Sequence, residues 1–331
     1  MMDRETLLKT MEERNLTVGE VLSHGFSLLS GRFGQYLLLS VLVFLPINLI
    51  QNYFSMQVDL SAFYAMDMEQ LVQADLTPFM NDMAKTLAAA VGGQFLSLIA
   101  VLVSAVMVKN QLLDPENHGF GTLFYRGIRM WPRAALTVVL VLMQTFIGCM
   151  CAGMLMAFPL LGLLAIVLVV YVAIRYIMYE NLCGAVAALR GRLGFDNMHY
   201  VKFLLQKSHF KVLGIFAIIT LLSNGITLGV SLLSTNILSF SGNALVRLII
   251  ATLISTILSI LNIFGYVCGT LILLNLEEMK RRELKRMALQ EPDPNRREVM
   301  ESTLEAMEER MEHQKGSEEF GNDTRDDRGD R

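Results

Sequence analysis

Two charged residues stand out because they lie at the end of a long apolar run. Arg175 and Glu180 fall within the segment AIRYIMYENLCGAVAAL, where a predicted membrane span ends. An arginine at this position can bind the phosphate of a lipid headgroup, because guanidinium and phosphate form charge-assisted hydrogen bonds. It can equally extend its charged end to the interface and anchor the helix. Arg175 and Glu180 are therefore candidate headgroup-binding residues or helix anchors.

Hydroxyl and amide side chains recur at steps of three and four residues along the fifth and sixth predicted spans. Polar side chains inside a membrane tend to face the interior of a helix bundle. The pattern is typical of a polar conduit or a headgroup cavity, and equally of hydrogen-bonded helix packing. This predicted polar seam consists of Thr220, Asn224, Thr227, Thr252, Ser255, Ser259, Asn262 and Tyr266. Shorter polar sets occur on span two, with Gln94 and Ser97, and on span three, with Gln144.

The residue types that catalysis or metal binding requires are scattered along the chain. The five histidines lie outside the predicted spans and show no metal-ligand spacing. The pair Cys149 and Cys151 has no nearby histidine or acidic residue, so the cysteines are expected to be inert thiols. No carboxylate falls in the middle of a predicted span, which argues against a proton- or sodium-coupled transporter. We therefore expect no enzyme activity, no cofactor and no metal site.

The composition explains why these residues must be positioned by membrane helices. Of the 331 residues 53% are hydrophobic and 18% are charged, whereas a soluble chain carries about 25% charged residues. The fold class predicted is all-α, a polytopic membrane protein whose six transmembrane helices form three hairpins. A span needs about 20 apolar residues. The predicted spans are 33–54, 87–108, 134–155, 160–177, 212–233 and 244–274.

Interfacial amphipathic helices are predicted beside these spans. Thr17 and Glu20 have the spacing of a capping box at the start of the first such helix. Two more are expected, at Thr122–Met130 before a break at residues 131–133 and at Tyr200–Gln206. The predicted domains are an N-terminal segment 1–32, a membrane domain 33–275, and a tail 276–331 that is helical and then disordered.

Basic residues predict the orientation of the chain. They cluster in the N-terminal segment, between spans two and three, between spans four and five, and after span six. The opposite side carries Lys85 and Arg247 together with the acidic segment 55–86. Both termini are therefore predicted to be cytoplasmic.

Several segments carry a resemblance to a known family. They are LTVGEVLSHGFSLLSGRFGQYLLLSVLVFLP, the segment around Arg175 and Glu180, VKFLLQKSHFKVLGIF and LILLNLEEMKRRE. Over residues 15–285 the chain resembles the membrane domain that accompanies bacterial glycerophosphoryl diester phosphodiesterases. The resemblance implies a multi-pass protein of the bacterial cytoplasmic membrane. About 56 residues follow span six, too few for a catalytic barrel of roughly 250, so we expect the membrane part without that enzyme activity.

Two functional hypotheses follow. The first is a non-enzymatic membrane protein that organises or assists a protein partner or lipid, with its cytoplasmic loops and tail available for a partner or for homo-oligomer formation. The alternative is a channel or transporter for a small solute or lipid through the polar seam. Membrane lipid is the expected partner under either hypothesis, and nucleic acid is not.

Overall fold

A computed structural model describes residues 4–58, 77–113, 119–156, 162–239, 243–291 and 293–316. This part of the chain forms helices and contains no strand. The helices are α1 (Arg4–Glu13), α2 (Val18–Gly31), α3 (Phe33–Ser55), α4 (Thr77–Leu113), α5 (Phe120–Met156), α6 (Gly162–Arg190), α7 (Gly194–Leu205), α8 (His209–Ser239), α9 (Ala244–Gln290) and α10 (Pro294–Gly316). Most of the predicted acidic segment and the predicted disordered end of the tail lie outside these residues.

Six of these helices, α3, α4, α5, α6, α8 and α9, are long and apolar enough to cross a membrane. The predicted all-α polytopic fold is therefore confirmed, and the chain is a multi-pass membrane protein. Helix α9 is central, because it contacts α2, α3, α4, α6 and α8. Helices α5 and α6 pack along each other as an antiparallel hairpin.

Two predicted breaks are wrong, because the helices continue through them. Helix α5 runs through residues 131–133 with Pro132 inside it, so residues 122–130 are its first turns and not a separate interfacial helix. Neighbouring helices hold this region, since Trp131 Nε1 donates a hydrogen bond to the Phe95 carbonyl oxygen at 2.7 Å. Helix α6 continues beyond residue 177 to Arg190. The added turns, beyond the predicted end of span four at residue 177, are mostly apolar and are buried by neighbouring helices, which favours continued helix.

The best-packed region lies at one end of the bundle. Nearly all side chains of residues 98–110, 178–189 and 267–277 are buried there. We call this the basic end; it is the end that carries α1, α2, α7 and the C-terminal part of α9. The Leu16 backbone N–H, between α1 and α2, donates to Asn275 Oδ1 of α9 at 3.3 Å. Short helices therefore complete the core where the long helices alone would leave gaps.

The opposite half of the bundle is open. Helices α5, α6 and α8 turn large apolar side chains outward there, as expected for surfaces in contact with lipid. The exposed side chains include Phe146, Ile147, Met154, Leu163, Ile166, Leu221, Leu228 and Leu233. The surface of this half is therefore suited to contact with lipid.

Helix α2 begins with the capping box that the sequence predicts. The Glu20 backbone N–H donates to Thr17 Oγ1 at 3.3 Å, and the Thr17 backbone N–H donates to Glu20 Oε2 at 2.8 Å. Arg14 Nη1 donates to the same carboxylate at 2.9 Å. The hydrogen bond from Arg14 and then that from the Thr17 backbone lower the pKa of Glu20 from 4.5 to about 2.

Glu20 therefore makes the stability of α2 depend on pH. A folded-state pKa below the ordinary value stabilises the fold above pH 4.5, and this contribution is lost as the pH falls towards 2. We expect faster amide hydrogen exchange in α2 of Glu20→Ala than of wild type at neutral pH. The difference should be small, because solvent screens these exposed groups, and should shrink as the pH falls through this window. A difference that grows on acidification would contradict the assignment.

Candidate functional site

A small cleft with a cavity volume of about 30 Å³, open on one side to its surroundings, lies between α5 and α6. One face of each helix lines it. The lining residues are Val141, Gln144, Thr145 and Gly148 of α5, and Val172, Arg175, Tyr176 and Tyr179 of α6. Both sets follow the same spacing of three, one and three residues, which places them on one face of a helix. The cleft is thus apolar at Val141 and Val172 and polar around Arg175.

Gly148 allows the two helices to approach at this level. A Cβ atom on Gly148 would lie 3.0 Å from Cγ2 and 3.2 Å from Cγ1 of Val172. These distances are shorter than an ordinary van der Waals contact, so any larger residue would push Val172 away. Helices α5 and α6 are therefore in close contact at Gly148, and the cleft lies beside this contact.

Arg175 is the charged group of the cleft. Its guanidinium lies 5.3 Å from the ring centroid of Tyr179, close enough for a cation–π contact. Arg175 also lies near His209, the first residue of α8. A helix N-terminus carries partial positive charge, so the Arg175 guanidinium lies close to the positive end of α8. Among the described residues no acidic side chain forms an ion pair with Arg175.

The depth of Arg175 makes the missing counter-charge significant. At 1.5 Å per residue, Arg175 lies roughly 20 Å along α6 from Gly162. With Gly162 placed at one edge of a hydrocarbon layer about 30 Å thick, the Arg175 Cα falls within the half of the layer nearer the basic end. A charge at that depth is costly unless it is paired or reaches the interface. Arg175 is therefore placed to meet an anion at headgroup level.

Glu180 occupies a different environment from Arg175. Its side chain is buried, 3% exposed, and its Oε1 accepts a hydrogen bond from Gln94 Nε2 of α4 at 2.6 Å. Tyr266 of α9 lies beside it. The two candidate headgroup-binding residues are therefore not brought together: Arg175 faces the cleft and Glu180 faces the interior of the bundle.

The hydroxyl groups on α9 face α3 instead of α8. Asn48 Nδ2 of α3 donates at 3.3 Å to both Thr256 Oγ1 and Ser259 Oγ, and Asn52 Nδ2 donates at 3.4 Å to Thr252 Oγ1. Ser40 Oγ of α3 donates to the Thr256 carbonyl oxygen at 2.8 Å. These bonds bind span one to span six in the manner expected of interhelical packing.

The remaining residues of the predicted seam do not form one surface. Asn224 of α8 and Asn262 of α9 are both exposed on the outside of their helices, and the others are partly buried: Thr220, Thr227, Ser255 and Tyr266. Helices α8 and α9 meet through apolar side chains and glycine, since a Cβ on Gly265 would lie 3.6 Å from Ile219 Cγ2. The structure thus brings Thr252 and Ser259 to α3 and does not join them to Asn224.

A second polar cluster joins three helices at the basic end. Arg190 Nε and Nη2, at the end of α6, donate to the two carboxylate oxygens of Glu277 of α9 at 2.9 and 2.5 Å. Tyr200 of α7 donates its hydroxyl to Glu277 Oε1 at 2.8 Å. Burial, and then the negative charge of Glu277, raise the pKa of the Tyr200 hydroxyl, which keeps its proton for this bond. The side chains of Arg190 and Glu277 are 8% and 5% exposed, so this cluster is structural.

None of the four cysteines lines the cleft. Cys149 and Cys151 are exposed on α5, whereas Cys183 and Cys268 are buried in the core. In the described part of the chain, no three His, Cys, Asp or Glu side chains are grouped as metal ligands.

Sequence reasoning missed Tyr176 and Tyr179 as site residues and did not connect His209 with Arg175. A signal was present, because Tyr176 and Tyr179 follow Arg175 at helical spacing on the same face. The contact with α8 had no such signal. The chain matches no protein-family model, no curated protein and no solved structure, so the site is assessed from its geometry.

Proposed function

We propose that this protein binds the phosphate of a membrane lipid through Arg175, in the cleft between α5 and α6. The observation that carries the proposal is a cation within a membrane-spanning helix that has no acidic partner among the described residues. A phosphate supplies the counter-charge and can accept two N–H bonds from one guanidinium. Gln144 also lines the cleft and offers an amide donor, whereas the Thr145 hydroxyl donates to the Val141 carbonyl oxygen at 2.9 Å.

The shape of the cleft favours a lipid over free phosphate. Its walls include Val141 and Val172, and the open half of the bundle next to it exposes apolar side chains. A phospholipid can place its headgroup at Arg175 and its acyl chains along these surfaces. Inorganic phosphate would satisfy the charge alone.

We propose that the protein has a lipid-assisting role and does not form a polar conduit through the membrane. Thr252, Thr256 and Ser259 of α9 already hydrogen bond with α3, which leaves few polar groups for a path between α8 and α9. We propose a non-enzymatic role, in which the arrangement at Arg175 recognises an anion.

The orientation, membrane and family belong to the same proposal. We propose that the basic end faces the cytoplasm, because basic residues favour that side, and that the membrane is the bacterial cytoplasmic one. The kinship proposed is with the membrane domain of glycerophosphoryl diester phosphodiesterases. A protein partner, or a second copy, would bind the basic loops and the tail, where α10 packs on α9 with Leu304 buried.

Replacing Arg175 with glutamine tests the proposal. The change keeps a polar side chain and removes the charge, so binding of a phosphatidylglycerol should weaken by about ten- to hundredfold, as for the loss of a charged hydrogen bond. Native mass spectrometry of the protein with graded amounts of this lipid measures the affinity. Phosphatidylcholine and inorganic phosphate, added as competitors, distinguish an anionic lipid from a phosphate of any kind.

Lys202→Gln is the matched control. It removes one positive charge from an exposed position on α7, away from the cleft. We expect lipid affinity close to wild type in this variant. If Lys202→Gln and Arg175→Gln weaken binding equally, the affinity reflects total charge and the cleft is not the site.

A further inference from the structure

Glu180 lies within a polar cluster that the proposed function does not use. Three helices enclose it: α4 contributes Gln94 and Ser97, α6 contributes Tyr176, and α9 contributes Tyr266. The Glu180 side chain is 3% exposed. The cluster therefore isolates one carboxyl group from water inside the bundle.

No positive charge faces this carboxyl. Gln94 and Ser97 are neutral, and the groups of α6 and α9 that face Glu180 and can titrate are the phenols of Tyr176 and Tyr266. Among the described residues no lysine, arginine or histidine forms an ion pair with Glu180. A buried carboxylate without a cation is strongly unfavourable, whereas a carboxyl that carries a proton is neutral and can be hydrogen bonded in this setting.

The cluster is connected to the cleft by Tyr176. This residue lines the cleft, and its buried hydroxyl lies beside Glu180 and Gln94. A hydroxyl in this position can accept from a protonated carboxyl or donate to a carboxylate. Tyr176 can therefore respond to the charge state of Glu180 from within the wall of the cleft.

We propose that Glu180 takes up and releases one proton, and that the charge it carries regulates phosphate binding in the Arg175 cleft. On release the O–H bond of the carboxyl breaks, the electron pair stays on the carboxylate, and the proton reaches water in the cleft by way of the Tyr176 hydroxyl, which takes up this proton as it gives up its own. No oxidation or reduction takes place. The regulatory part of this inference rests on the proposed lipid binding; the proton site does not.

The direction of the coupling follows from charge. Glu180 and Arg175 are five residues apart on α6, a rise of about 7.5 Å. At a separation of about 10 Å and an effective dielectric constant near 20, one negative charge changes the affinity for an anion on the order of tenfold. Neutral Glu180 should thus strengthen phosphate binding, and ionised Glu180 should weaken it by repelling the phosphate and by attracting Arg175.

The position of Glu180 in the structure differs from the position expected from the sequence. Glu180 was expected to mark the end of a span, and the absence of a carboxylate within the spans argued against coupling to protons. Helix α6 continues to Arg190 and carries Glu180 into the packed interior. The objection to a proton-coupled role is therefore removed.

The test compares His209→Gln with His209→Gln/Glu180→Gln, because the histidine near Arg175 would titrate on its own. Both are placed in nanodiscs containing phosphatidylglycerol, whose phosphodiester does not titrate near neutral pH. We expect the affinity of the single variant for this lipid to fall about tenfold between about pH 5 and 9. The double variant should bind with the stronger affinity throughout. Equal pH dependence in the two variants would overturn the coupling.

A second readout separates the proton site from lipid binding. Infrared spectra of the protein in phosphatidylcholine nanodiscs should show a carboxylic acid C=O band that titrates and is absent from Glu180→Gln. If the band is present and no variant binds phosphatidylglycerol, the proton site stands and the proposed function fails. If Glu180→Gln leaves the carboxylic acid bands unchanged at every pH, the proton site is wrong.

Discussion

Replacing Arg190 with alanine is expected to lower the free energy of unfolding by about 3–5 kcal/mol, the usual cost of breaking a buried ion pair. The change leaves the Glu277 carboxylate, 5% exposed, without its two guanidinium hydrogen bonds. Tyr200 alone cannot neutralise that charge. The fold should loosen where α6, α7 and α9 meet, which reversible unfolding in detergent micelles would measure.

Two further variants serve as controls for Arg190→Ala. Lys9→Ala breaks an exposed pair with Glu13, whose N···O distance is 4.0 Å, and should leave stability unchanged. Arg190→Met/Glu277→Leu replaces both buried charges with apolar groups and should recover most of the loss, since the penalty comes from the unpaired charge. A loss in Arg190→Ala no larger than in Lys9→Ala would contradict a structural role for the pair.

Replacing Gly127 with alanine should destabilise the protein by about 1–3 kcal/mol, the range for overpacking. A Cβ on Gly127 of α5 would lie 2.5 Å from Val103 Cγ2 and 2.9 Å from Val103 Cα of α4. Side-chain rotation cannot relieve a clash with a backbone atom, so the two helices must separate. The same unfolding measurement reports the loss.

Gly153 of the same helix is the matched control. A Cβ there meets no atom within 4 Å, and alanine is favoured over glycine in a helix by about 1 kcal/mol. Gly153→Ala should therefore be neutral or stabilising. Equal losses in both variants would show that the close approach of α4 to Gly127 does not set the effect.

The helices and their caps were accessible from the sequence because they depend on local composition. Apolar length predicts the six spans, and the spacing of Thr17 and Glu20 predicts the capping box that the structure contains. The position at which α6 ends could not be predicted from the sequence. Residues 178–189 read as an amphipathic connector when considered alone, and become helix core because α4, α7, α8 and α9 cover them.

The hydrogen-bond partners of the polar residues also could not be predicted from the local sequence. Thr252 and Ser259 share one helical face in the sequence and are buried in the structure, but hydroxyl groups at helical spacing do not specify which helix they meet. Asn48 and Asn52 of α3 decide this through long-range hydrogen bonds. Arg175 was likewise identified from its charge, whereas its separation from Glu180 depends on how α6 is rotated between α4 and α5.

Contact between a lipid phosphate and the Arg175 guanidinium is the central claim, and solid-state NMR measures it most directly. Protein with ¹⁵N-labelled arginine in phosphatidylglycerol bilayers should show a guanidinium signal dephased by ³¹P at hydrogen-bond range. This signal should disappear in Arg175→Gln and persist in Arg247→Gln. If every phosphate-dephased arginine signal of the wild type remains in Arg175→Gln, the lipid phosphate does not bind in the cleft and the account is wrong.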